Sequence, residues 1–170
     1  HTHAQADAFS PTMHFFPKKV TLVTNSANVS LPILGNVTKA WGALPLPEDY
    51  TASKRFVKEF ALRLKRKGVV IIYPEAHLWP FYTGIRPFTH NNFAYSVKFN
   101  VKSYALTSTY QKSKKGKLKR IVYLDGPFTV DEKLSSKDAS VKLRDAIYEV
   151  MKKRSKLSTY EKIRYVKRSE

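Results

Sequence analysis

The spacing of apolar residues changes period several times along the chain, and each change marks an element. Lys18–Asn25 (KKVTLVTN) alternates β-branched and polar residues behind Pro17, which predicts a strand. Leu31–Trp41 (LPILGNVTKAW) is a short apolar segment that reads as helical, with Pro32 near its first turn. Gly42–Asp49 (GALPLPED) holds two prolines and predicts a turn-rich connection. Between Ser53 and Lys67, Phe56, Phe60 and Leu64 recur every fourth residue with Val57 and Ala61 beside them, the pattern of an amphipathic helix that Gly68 ends. Its last turn, RLKRK, places cations where the helix dipole favours them. Val69–Tyr73 (VVIIY) follows with no polar alternation, so it reads as a strand buried on both faces. Strand, helix and strand on short links predict parallel strands.

Asn91–Asn100 predicts a short helix burying Phe93, Ala94 and Val97. Val101–Tyr110 and Arg120–Leu124 read as two further strands flanking a basic loop, Lys112–Arg120. Ser135-x-x-Asp138 resembles a capping box, and the helix it opens lines up Ala139, Leu143, Ala146, Ile147, Val150 and Met151. The expected fold class is α/β: a twisted, mostly parallel sheet with helices on both faces. At 170 residues the chain is one domain by size, with a basic tail from Lys152 to Glu170. There is no internal repeat.

Composition changes this picture in two ways. The chain has no cysteine, which removes disulfides, thiolate nucleophiles and Cys-based zinc sites. It has 31 Lys and Arg against 13 acids, a net +18, and such a field selects polyanionic partners: nucleic acid, anionic lipid or phosphate-bearing substrates. No apolar run approaches the roughly 20 residues of a membrane-spanning helix. The opening residues show neither the basic start nor the apolar stretch of a signal peptide. The chain begins without Met, so it is expected to lack upstream residues, an anchoring helix among them.

Two segments carry candidate chemistry. The opening HTHAQADAF sets His1 and His3 six and four residues before Asp7. A carboxylate that fixes the tautomer of a His makes it a general base near neutral pH. The same trio also fits solvated residues at a terminus, or the remnant of an expression tag. The second segment is Tyr73-Pro74-Glu75-Ala76-His77, directly after VVIIY, where open α/β sheets bind ligands beyond the carboxyl ends of their strands. Glu75 there also fits a capping carboxylate in a turn. Arg86, in GIRPF, is positioned to return a cation to the same edge, or is a surface charge in a loop.

In order, the chain carries a His/Asp motif, a strand, a helix, GALPLPED, an amphipathic helix, the block GVVIIYPE, a Pro-Phe block with a short helix, and a hydrophobic strand. This order resembles the glycerol-phosphate and lysophospholipid acyltransferase family, in a divergent bacterial form whose first motif begins H-T and ends D-A-F. The resemblance runs from His1 to about Ala146. Its most specific part, KGVVIIYPEAHLWPFYTGIRPFTHNNFAYSVKFNVKSYAL, is similar to the family's F-P-E-G-T-R block, its P-F-K-x-G-x-F block and its V-P-I-V-P-V strand. Three features depart from the family. His1 and Asp7 have five residues between them, where four are usual. Ala76 and His77 replace the Gly and Thr of the P-E-G-T-R block, whose Arg is absent. The acceptor motif, here Leu46-Pro47-Glu48-Asp49, lacks the Arg that grips a phosphate, which leaves Lys54, Arg55 and Arg86 as candidate substitutes.

The resemblance implies an acyltransferase of phospholipid biosynthesis. His1 takes the proton of an acceptor hydroxyl as it attacks the thioester of acyl-CoA or an acyl-carrier protein. Asp7 orients His1, and Glu75 shapes the acceptor site, all three in one cleft. The acceptor is a lysophospholipid, such as lysophosphatidic acid, or a glycerol phosphate. No metal and no cofactor beyond the thioester donor is expected. The expected location is the cytoplasmic face of a membrane, held peripherally or by an upstream anchor, with the cations of Lys112–Arg120 and Lys152–Arg168 facing anionic lipid. Two other readings compete. A basic, non-enzymatic nucleic-acid-binding module fits the charge and the 13% aromatic content, but the cations cluster in loops and tails and there is no ribonucleoprotein-type motif. A catalytically inactive membrane-surface domain of the same fold fits the eroded motifs.

Overall fold

The structure, a computed structural model, describes residues 4–25 and 42–166. The helix expected over Leu31–Trp41, and both His1 and His3, lie outside the described residues. The chain is α/β and gathers into two compact units, divided between Tyr73 and Pro74, with Ala4 grouped with the second.

The first unit holds α1 (Ala4–Phe15), β1 (Val20–Thr24), β2 (Leu44–Pro45), α2 (Tyr50–Lys65) and β3 (Val69–Ile71). The strands form a parallel sheet in the order β2-β1-β3, with Val20 opposite Val69, Leu22 opposite Ile71 and Val23 opposite Leu44. Short links on either side of α2 force this parallel arrangement, as expected. The connection expected at Gly42–Asp49 contains β2. Val20, Val23 and Leu44 are buried, as are Phe56 and Phe60 of α2, whose rings lie 5.9 Å apart.

Two local features set the ends of α2. It starts earlier than the apolar spacing predicts because Asp49 caps it, its carboxylate accepting the Ala52 N–H at 2.7 Å. At its other end the Lys67 N–H donates to Leu64 O at 3.0 Å and the Gly68 N–H to Arg63 O at 3.2 Å, the paired bonds of a Schellman motif. The left-handed residue is therefore Lys67, at φ 55°, and not Gly68. Gly68 has a different task. A Cβ there would stand 2.9 Å from Arg63 O and 3.2 Å from Lys19 O, because β3 begins immediately beside the helix end. Arg63 ties α2 to the sheet by donating to Thr21 Oγ1 and Gly42 O, both at 3.2 Å. β3 corrects one expectation: its three residues are half-buried, not buried on both faces. It is short and pairs β1 alone among the described residues, and an apolar run reads the same at a sheet's edge as at its centre.

The second unit holds a 3₁₀ turn (His90–Phe93), α3 (Ala94–Lys98), β4 (Ser103–Lys112), β5 (Leu118–Phe128) and α4 (Ser136–Ser155). β4 and β5 pair antiparallel as a long hairpin, with Thr107 opposite Tyr123 and Lys112 opposite Leu118. Among the described residues, parallel pairing is thus confined to the first unit. The hairpin also corrects the basic loop. Lys112, Lys119 and Arg120 are strand residues, and the turn itself spans only Ser113–Lys117, closed by the Ser113 N–H on Lys117 O at 2.8 Å. Gly116 supplies the φ of 75° that this turn requires.

α4 begins where the sequence places it, the Ser135 hydroxyl accepting the Asp138 N–H at 3.2 Å. Its buried stripe is Ala139, Leu143, Ile147, Met151 and Ser155, with Ser140 beside it. The stripe is narrower than the apolar spacing predicts: Ala146 is exposed and Val150 half-buried on its flanks. Leu143, Ile147 and Met151 form a core with Phe88, Phe93 and Ala105. Of the three residues expected to be buried over Asn91–Asn100, only Phe93 is; Ala94 is exposed and Val97 half-buried, because the segment is split between a 3₁₀ turn and a short helix. Arg154 joins α4 to β5: its Nε and Nη2 donate to the Asp125 carboxylate at 2.6–3.1 Å, and its guanidinium lies 4.5 Å from the centre of the Tyr123 ring.

Candidate functional site

The segment Pro74–Arg86 holds the sequence-predicted residues that the structure brings together. Glu75 sits four residues past the end of β3, in a turn, and is 9% exposed. A carboxylate this buried needs hydrogen bonds, and its Oε1 accepts the Arg86 N–H at 3.3 Å. The link between Glu75 and Arg86 is therefore made by the Arg86 backbone. The Arg86 guanidinium turns elsewhere, donating to His77 O at 3.1 Å and lying 4.6 Å from the centre of the Trp79 ring.

The turn after Glu75 is sharp. The His77 N–H donates to Glu75 O at 2.7 Å across Ala76, whose φ is 63°. That is a left-handed γ-turn, rare and strained for a residue with a Cβ. Asn92 closes the segment from the far side, its side-chain amide donating to Pro74 O at 3.4 Å.

Beyond His77 the chain builds an aromatic cluster that sequence spacing does not show. Tyr165 stacks on Trp79 with ring centres 5.0 Å apart and an interplanar angle of 15°. Tyr82 meets both rings edge-on, at 5.2 and 5.4 Å. The Tyr165 hydroxyl donates to Pro80 O at 2.9 Å. Tyr165 lies more than 80 residues from Trp79, Pro80 and Tyr82, so no periodicity could bring it to them.

Of the other predicted residues, Asp7, Lys54 and Arg55 belong to the first unit. Asp7 lies in α1 and is half-buried; its backbone carbonyl accepts the Tyr73 hydroxyl at 2.7 Å. Tyr73 thus anchors the turn of α1 that carries Asp7, a role absent from the sequence reading. Lys54 and Arg55 are exposed on the first turns of α2, with the Lys54 ammonium 4.6 Å from the centre of the Tyr50 ring. Of the candidate phosphate-gripping cations, only Arg86 shares a unit with Glu75. Among the described residues no cluster of three His, Asp or Glu is arranged to hold a metal ion, and no helix is long and apolar enough to cross a membrane. No family model, curated protein or solved structure matches the chain.

Proposed function

We propose that this chain transfers a fatty acyl group from a thioester donor, acyl-CoA or acyl-carrier protein, to a hydroxyl of a glycerolipid such as lysophosphatidic acid, on a fold of the glycerolipid acyltransferase type. His1 removes the acceptor's proton, the acceptor oxygen attacks the thioester carbonyl, and a tetrahedral oxyanion forms. The C–S bond then breaks and the leaving thiolate takes the proton back from the imidazolium, which yields an ester and a free thiol. Asp7 holds the His1 tautomer, Glu75 shapes the acceptor site, and Arg86, Lys54 or Arg55 meets the acceptor's phosphate.

One observation carries the reading beyond motif order. Ala76 stands where the resembled block has glycine, and it keeps the positive φ, 63°, that glycine adopts freely. A turn behind Glu75 whose shape suits glycine supports reading the segment as a diverged form of that block. The parallel β1-α2-β3 unit that leads into Glu75 is the element order the same reading needs.

The test is thioester release from long-chain acyl-CoA in the presence of lysophosphatidic acid. His1→Ala lowers turnover by roughly a hundredfold or more, as loss of a general base does, while His3→Ala retains it. Full activity in His1→Ala with loss in His3→Ala moves the base to His3. Absence of acceptor-dependent release with either donor refutes acyl transfer.

A further inference from the structure

The last described stretch of the chain is bound back onto the second unit, and it leaves apolar side chains facing outward. Its backbone is held at two places. The Thr159 and Tyr160 N–H groups donate to Tyr110 O at 2.9 and 3.2 Å, and the Tyr110 N–H donates to Ser158 Oγ at 3.2 Å. Further on, Tyr165 stacks on Trp79 and donates to Pro80 O. Between these anchors the Lys162 ammonium lies 3.9 Å from the centre of the Phe81 ring.

This strap therefore has fixed faces. Val166 is 78% exposed, and Ile163 and Leu157 about 40%; across the stack, Leu78 and Trp79 are exposed to a similar degree. Exposed Lys156, Lys162 and Arg164 interleave with them, against a single exposed acid, Glu161.

We propose that the strap Lys156–Val166 and the Leu78–Trp79 turn together form a docking patch for an anionic lipid bilayer. It deepens the membrane partner named above and rests on that part of the reading, not on His1 chemistry. Charge complementarity selects the occupant: the cations suit a negatively charged surface, where each strengthens attachment by roughly fivefold. The aliphatic side chains suit the acyl boundary, and tryptophan and tyrosine suit the headgroup level. A single-stranded nucleic acid fits less well. Trp79 and Tyr165 already stack on each other, which removes ring faces that bases would use, and Ile163 and Val166 have no role on a phosphate backbone. The hairpin turn Ser113–Lys117 is cationic but carries no exposed aliphatic group, so the patch separates apolar insertion from charge alone.

The test is co-sedimentation of the whole chain with phosphatidylcholine vesicles, with and without phosphatidylserine, across a salt series. Binding is expected only with phosphatidylserine and is lost at high salt. Ile163→Ser with Val166→Ser, which keeps every charge and alters only exposed side chains, weakens binding by about tenfold. Lys114→Ser with Lys115→Ser weakens it less. The inference is overturned by salt-insensitive binding to both vesicle types, by an undiminished Ile163/Val166 double variant, or by phosphatidylserine-independent capture of RNA at the same variant-sensitive face. Vesicle binding without thioester release would leave the patch standing and remove acyl transfer. Thioester release by an enzyme that ignores the vesicles would do the reverse.

Discussion

Positive φ angles at residues with side chains mark where this backbone is under tension. Ala76 at 63° and Lys67 at 55° occupy positions where glycine is the unstrained choice. Ala76→Gly is expected to raise unfolding stability by about 0.5–1 kcal/mol, seen as a higher denaturant midpoint with an unchanged slope. If acyl transfer occurs, the same variant keeps its activity, since the turn behind Glu75 retains its shape. Gly68→Ala runs the other way. Its Cβ meets two backbone oxygens, Arg63 O and Lys19 O, that cannot move without parting α2 from β3. A loss of about 2 kcal/mol is expected in the same titration. Tyr73→Phe keeps the ring and deletes the donor to Asp7 O, and about 1 kcal/mol should be lost with it. Under the proposed chemistry that variant also slows turnover, because the turn of α1 bearing Asp7 loses its tie.

Among the elements, α4 organises the second unit, and two different forces hold it. One is its apolar stripe. Leu143 is 4% exposed within the core around Phe88 and Phe93, so Leu143→Ala should cost about 2–5 kcal/mol by chemical denaturation. The other is the Arg154–Asp125 bridge to β5. Hydrogen bonds from Arg154 hold the Asp125 carboxyl below its ordinary range, helped by the nearby positive charges of Arg154 and Lys153. A carboxyl whose folded pKa is depressed contributes stability above its unfolded pKa, near 3.9, and loses that contribution as pH falls through the folded value. Thermal melts should therefore decline more steeply below about pH 4 in the parent than in Asp125→Asn, and the two curves should converge at the acid end. Parallel curves across that window would show that the bridge adds nothing. The same contact bears on the basic tail. Arg154 belongs to α4 and is engaged with Asp125 and Tyr123, so it is not one of the cations offered to a lipid surface.

For the molecule as a whole, the excess of 31 cations over 13 acids makes self-repulsion a general cost of folding. Raising ionic strength from about 0.01 to 0.15 M shortens the screening length from about 30 to 8 Å, and the melting temperature should rise by a few degrees; a fall would show that specific ion pairs outweigh the repulsion. How much of the molecule was legible beforehand depended on the range of the forces involved. Residue pattern alone was enough to read β1, α2, β3 and their parallel direction, the Ser135 cap, most of the α4 stripe, and Glu75 in a turn after a strand. These follow from periodicity, caps and link lengths, which act within a few residues of the chain. The rest was settled by contacts that exist only in the folded chain. Folding made a hairpin of the two later strands, because pairing direction depends on a turn that reads as a charged loop. It left β3 half-buried, because an apolar run carries no record of which strand borders the sheet. It directed the Arg86 guanidinium to Trp79 and His77 O while the Arg86 backbone went to Glu75, and it brought Tyr165 onto Trp79 from the far end of the chain. The Arg86 contacts reach 7 to 11 positions and the Tyr165 stack spans more than 80, none of them within one helix or strand, so their partners are chosen only when the chain has closed on itself.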